Sequence, residues 1–261
     1  MKRWILVTSG KGGVGKSLVA RLLAETKRES EPTTWLIDGD GEVGQLVQYL
    51  GTRDRSGKLV PEQSGDVGVG TFALHGWRDD TGMRDLLDGL IAPLRTARTD
   101  VLVDLPAASL AVLETLERDA GLATGAARLG FRPTLVVPIS PLVASRHSIA
   151  EALDLGSGYD IVAVRSEFWG NDSDYRRWLG SKLRADFLER GGREVVIPAC
   201  VAGSSSIWMS GICPSPPPPS RGCSIIPTTR CSPAGSPKHA SRSTPRPTSW
   251  GSPSARSHDR T

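Results

Sequence analysis

The sequence predicts an α/β fold, a mostly parallel sheet with helices on both faces. Three observations carry this. Over residues 1–200, short apolar runs alternate with stretches of helical periodicity. Most of the runs are continuously apolar, as in strands covered on both sides. The first run also leads through a glycine-rich loop straight into the first helical stretch.

In chain order, strands are expected at "RWILVT" (3–8), "TTWLID" (33–38), "DVLVDL" (100–105), "PTLVVPI" (133–139), "DIVAV" (160–164) and "EVVIP" (194–198). Helices are expected near 16–28, 82–96, 109–121, 142–154 and 172–190. The last has the fullest signals. Asp172 or Ser173 can cap its start, and Tyr175, Trp178, Leu179, Leu183 and Phe187 recur at helical spacing. Gly191 and Gly192 then end it. Residues 51–81 are rich in Gly, Asp and Arg and read as loop, with at most one edge strand at 67–72.

The chain has 261 residues, 38% of them hydrophobic, enough for one substantial core. Residues 1–203 read as one domain. After it the composition changes: residues 204–261 hold 11 of the 19 prolines and 15 serines, with no apolar period. Such a segment buries too little surface to offset its ordering entropy, so a disordered Ser/Pro/Arg-rich tail is expected. Two origins stay open for it, a natural linker or a frameshift near residue 204 that replaced another C-terminus.

The net charge of +4 belongs to that tail, which holds seven of the 32 Lys and Arg and one of the 28 Asp and Glu. The first 203 residues carry 25 basic and 27 acidic side chains, a balance that does not mark a nucleic-acid binder. Cys200 alone of the four cysteines lies in the body, so no disulfide framework is expected. His75, His147, His239 and His258 are scattered, without zinc-ligand spacing. No run approaches the ~18 apolar residues of a membrane span, and a soluble cytoplasmic protein is expected.

The chemistry concentrates in "GKGGVGKS" (10–17), which fits G-x-x-x-x-G-K-[ST] between a strand and a helix, the setting of a P-loop NTPase fold. Gly10, Lys11, Gly12, Gly13, Val14 and Gly15 can wrap the main chain so that successive N–H groups point at an anion. The helix opening there adds its positive dipole end. Lys16 can reach the β- and γ-phosphates of ATP, and Ser17 can place its hydroxyl on Mg²⁺. "WLIDGDG" (35–41) ends a strand with Asp38 and Asp40, which two-residue spacing turns the same way. "DVLVDLPA" (100–107) is an apolar strand ending in Asp104.

The second lysine makes the loop K-G-G-x-G-K-S, which resembles the deviant cradle of ParA/MinD-type ATPases. The resemblance implies that Lys11 crosses an ATP-dependent homodimer interface to the phosphates held by the other subunit. It also implies that Asp40 orients the attacking water and that Asp38 supports the magnesium shell. Asp104 then holds Mg²⁺ as a Walker B carboxylate. One departure is plain: Arg165 and Ser166 stand where the family often has an asparagine that reads adenine.

Residues 164–200 resemble the StbB/TraL-like branch in an aromatic-Gly turn, a Trp-x-x-Ser-Lys segment and Gly-Gly-x-Glu before an apolar strand. That implies plasmid stability, partition or conjugative transfer, with a plasmid-encoded partner. Arg176, Arg177, Lys182, Arg184, Arg190 and Arg193 offer a surface for non-specific DNA, although interleaved acidic residues favour a solvated helix face. Two alternatives to the slow ATPase switch stay open: a nucleotide-binding adaptor with little hydrolysis, and an ATP-dependent ligase of the dethiobiotin-synthetase type.

Overall fold

Strand β1 (Lys2–Ser9) sends Trp4 and Leu6 to one face of a sheet, and Ile5 and Val7 to the other; all four side chains are buried or nearly so. That two-sided burial is why its run is continuously apolar. In the computed structural model, which describes residues 1–41, 44–72 and 80–199, six further strands join it. They are β2 (Trp35–Asp38), β3 (Gly70–Thr71), β4 (Val101–Ala107), β5 (Phe131–Ile139), β6 (Asp160–Ser166) and β7 (Arg193–Ile197). The order is β3-β2-β4-β1-β5-β6-β7, and every pairing is parallel. The expected edge strand within 67–72 is the two-residue β3.

Helices cover both faces. On one, α1 (Lys16–Ser30) and α2 (Gln45–Leu50) pack Val19, Ala20, Ala24, Leu46 and Val47 over Val7, Leu36 and Leu102. The other is covered by α3 (Asp80–Thr96), α4 (Ser109–Ala120), α5 (Leu122–Arg128) and α6 (Val143–Asp154), with α7 (Arg176–Leu179) and α8 (Lys182–Glu189). Among the described residues no helix is long and apolar enough to cross a membrane. The proposed tail, with Cys200 and the other three cysteines, lies outside the described residues, as does His75.

The expected helix 172–190 is two helices. Ser181 breaks it: its Oγ accepts the Arg184 N–H at 3.1 Å and caps α8. Asp172 and Ser173 do not cap α7. Ser173 closes a turn on Asn171, while the Asp172 carboxylate pairs with Arg165 at 2.7 Å. Gly191 and Gly192 do end α8, Gly191 at φ 87° and Gly192 donating to the Phe187 carbonyl at 2.9 Å.

Candidate functional site: the loop between β1 and α1

The loop from Gly10 to Gly15 leaves the C-terminal end of a central strand and enters α1, where a parallel sheet opens its crevice. Gly13 and Gly15 have φ of 77° and 89°, conformations that cost other residues energy. Gly15 is the residue before the first turn of α1, and no side chain caps that turn. The first N–H groups of a helix have no partner within it, so this uncapped turn leaves donors that an anion could take.

The start of the loop is fixed from below. The Gly10 N–H donates to Ser148 Oγ on α6 at 2.8 Å, and Ser9 Oγ donates to the Lys11 carbonyl at 2.8 Å. A Cβ on Gly10 would meet Ser148 Oγ and Glu151 Oε2 at 2.9 Å, so a side chain here would push both away and disturb the Gly10–Ser148 hydrogen bond. Lys11 itself is exposed and makes no side-chain ion pair among the described residues.

Three predicted residues converge. Lys16 Nζ donates to Asp104 Oδ1 at 2.7 Å, and Ser17 stands close enough to the same carboxylate to stabilise its charge. The pair is nearly sealed, with side-chain exposures of 10% and 2%. Burial pushes the Asp104 carboxyl above its ordinary range; Lys16 opposes this, and the neighbouring Asp38 adds to it. The register explains the proximity. Asp38 of β2 lies opposite Asp104 of β4, on the face that α1 and α2 cover.

Asp38 is placed differently from a side chain open to a ligand. Its Oδ1 accepts the Asp40 N–H at 3.1 Å and its Oδ2 accepts the Val47 N–H at 3.0 Å. It therefore caps α2, whose own preceding residue, Gly44, has no side chain to do so. A Cβ on Gly44 would lie 2.0 Å from Asp38 Oδ1, so the glycine makes room for the cap. Burial raises the Asp38 carboxyl against the pull of those backbone hydrogen bonds. Asp40 follows at the mouth of the crevice, partly exposed.

The Arg165 guanidinium is held by two carboxylates of its own chain. It is buried, with Nε 2.7 Å from Glu194 Oε1 and Nη1 2.7 Å from Asp172 Oδ1. Arg184 is likewise tied to Glu194, at 2.7 Å, which removes it from the basic surface considered above; Arg176, Arg177, Lys182, Arg190 and Arg193 remain exposed.

Two features escape the motif reading. Ser148 lies 138 residues from the loop it anchors, and nothing local marks it. Phe168 and Trp169 flank the start of α1. Their signal was an aromatic pair directly after a strand, at the sheet end where ligands bind.

No family model matches the chain, and no curated protein matches it. Among solved structures, a nucleotide-binding protein from Archaeoglobus fulgidus in complex with ADP is similar at 16% identity and a TM-score of 0.45, over 80% of this chain and 86% of that one. A chain of the MinC:MinD cell division protein complex from Aquifex aeolicus is similar at 16% identity and a TM-score of 0.44, over the same shares.

Proposed function

We propose that this chain binds ATP at Gly10–Ser17 and hydrolyses it slowly, as an ATP-dependent homodimeric switch. The observation that carries the reading is the convergence of Lys16, Ser17 and Asp104 at the end of a glycine-rich loop that opens α1. Lys16 and Asp104 satisfy each other in this structure. A triphosphate offers Lys16 a stronger partner and releases Asp104 and Ser17.

Those two groups are hard oxygen donors, a set that suits Mg²⁺, and the ion would neutralise phosphate charge there. Asp38 acts through its negative charge beside Asp104 and by fixing the turn that carries Asp40. Asp40 orients the attacking water, and Lys11 supplies a cation to the partner subunit's phosphates. The cytoplasmic location rests on the expectation drawn from the sequence's short apolar runs, and a role in plasmid stability, partition or transfer rests on the resemblance of residues 164–200. A plasmid-encoded partner rests on the same ground; non-specific DNA on the remaining exposed basic residues rests on the ParA/MinD resemblance and is the lesser reading beside a solvated helix face.

Calorimetric titration of the full chain with ATP and Mg²⁺ tests the core of this. Lys16→Ala should weaken binding by about 100-fold or more, because a buried charged contact is lost. Asp40→Ala should bind ATP normally yet release little phosphate. Equal affinity in Lys16→Ala would place the triphosphate elsewhere, or nowhere.

A further inference from the structure

Phe168 and Trp169 have no part in the chemistry described so far. They follow β6 on a short 3-10 turn and meet edge to face, with ring centroids 5.1 Å apart. Phe168 is 73% exposed and Trp169 41%, a large aromatic surface to leave in water. Trp169 reaches back to the cradle: its Nε1 lies 3.6 Å from where a Cβ on Gly15 would stand. Between the aromatics and α1 is a cleft of about 100 Å³, lined also by Val14, Leu18, Pro138 and Ser166.

This cleft is continuous with the start of α1, so a nucleoside whose phosphates lie on Gly13–Ser17 can place its base there. Its lining offers few groups that tell one base from another. Ser166 Oγ and Trp169 Nε1 are its polar side-chain atoms among the described residues, and Ser166 Oγ already accepts the Phe168 N–H at 3.3 Å. Arg165, next in sequence, is consumed by Glu194 and Asp172. Strong base discrimination needs buried donors and acceptors matched to one edge. Stacking does not discriminate, because every base has a π-face.

We propose that the cleft is the base subsite, that Trp169 and Phe168 hold the base by stacking, and that the site accepts adenine and guanine nucleoside triphosphates almost equally. The proposal rests on the reading of Gly10–Ser17 as a triphosphate cradle.

Calorimetry on the full chain with Mg²⁺ separates the two, using ATP, GTP and inorganic tripolyphosphate as ligands. ATP and GTP should bind within about tenfold of each other, and tripolyphosphate more weakly. Phe168→Ala/Trp169→Ala should weaken ATP and GTP by about tenfold or more, the loss expected for a stacked base. The same variant should bind tripolyphosphate as the unmodified chain does, which also reports that it is folded. Trp169→Phe should restore most of the loss. A preference for one purine beyond tenfold overturns the proposal, as does unchanged ATP affinity in the double alanine variant. Failure of the unmodified chain to bind tripolyphosphate or either nucleotide overturns the cradle itself.

Discussion

Ala108 lies at φ 62° and ψ 19°, the non-glycine residue with positive φ among those described. It stands between β4 and α4, and its N–H donates to the Ser9 carbonyl at 2.8 Å, so the strain ties the end of β4 to the end of β1 beside the cradle. A left-handed alanine costs roughly 1–2 kcal/mol. Glycine removes that cost but adds about 0.4–1 kcal/mol of unfolded-chain entropy. Ala108→Gly should therefore stabilise the protein by about 0.5–1 kcal/mol, read as a higher urea midpoint at unchanged slope. A lower midpoint would mean that the surrounding hydrogen bonds fully compensate the backbone. The cradle's own residues were legible one by one because the motif is local. Asp38 was legible as a carboxylate at a strand end but not as a cap, because its partners belong to a helix after an intervening loop.

At the scale of elements, Glu194 joins β7 to β6 and to the α7–α8 pair. It accepts from Arg165 Nε at 2.7 Å, Arg184 Nε at 2.7 Å and Trp178 Nε1 at 3.1 Å. The Trp-x-x-Ser-Lys and Gly-Gly-x-Glu stretches thus meet on one carboxylate. Burial alone would raise this carboxyl, but the three hydrogen bonds outweigh it and hold it below the ordinary glutamate range. A lowered folded value means that the unfolded chain takes up a proton first as pH falls. The stabilisation is full above about pH 4.3, the unfolded value, and is lost as pH drops through the lowered folded one. Glu194→Gln should cost about 2 kcal/mol at pH 7, because Arg165 keeps Asp172 but loses its second charged partner and Arg184 loses its own. It should also flatten the acid limb of the stability curve, measured by urea unfolding from pH 3 to 7. An unchanged limb would move the acid sensitivity to other carboxylates.

The same scale shows what sequence reading reaches. The six predicted strands follow from continuous apolar runs, since β1, β4 and β5 are covered on both sides. α2 and α5 were not predicted. They are six and seven residues long, and each is preceded by a glycine that offers no side-chain cap. The break at Gly180–Ser181 was hidden because Trp178 and Phe187 lie on either side of it and still face one core.

At the scale of the whole molecule, the proposed homodimer turns on Lys11. Its backbone is held, through its carbonyl by Ser9 and through Gly10 by Ser148, while its side chain is exposed. The main chain is thus held, while the side-chain cation makes no ion pair among the described residues. Lys16 is the opposite case, buried against Asp104 in the same subunit. If Lys11 acts across a dimer, removing it leaves the cradle of its own subunit intact. Lys11→Ala should then bind ATP with the affinity of the unmodified chain. Light scattering should show it monomeric at ATP concentrations that make the unmodified chain dimeric, and its phosphate release should fall by about 100-fold or more, the scale of a trans-acting cation. Weaker ATP binding in the isolated subunit would assign Lys11 to its own cradle. Turnover equal to that of the unmodified chain would leave no role for a second subunit in the reaction.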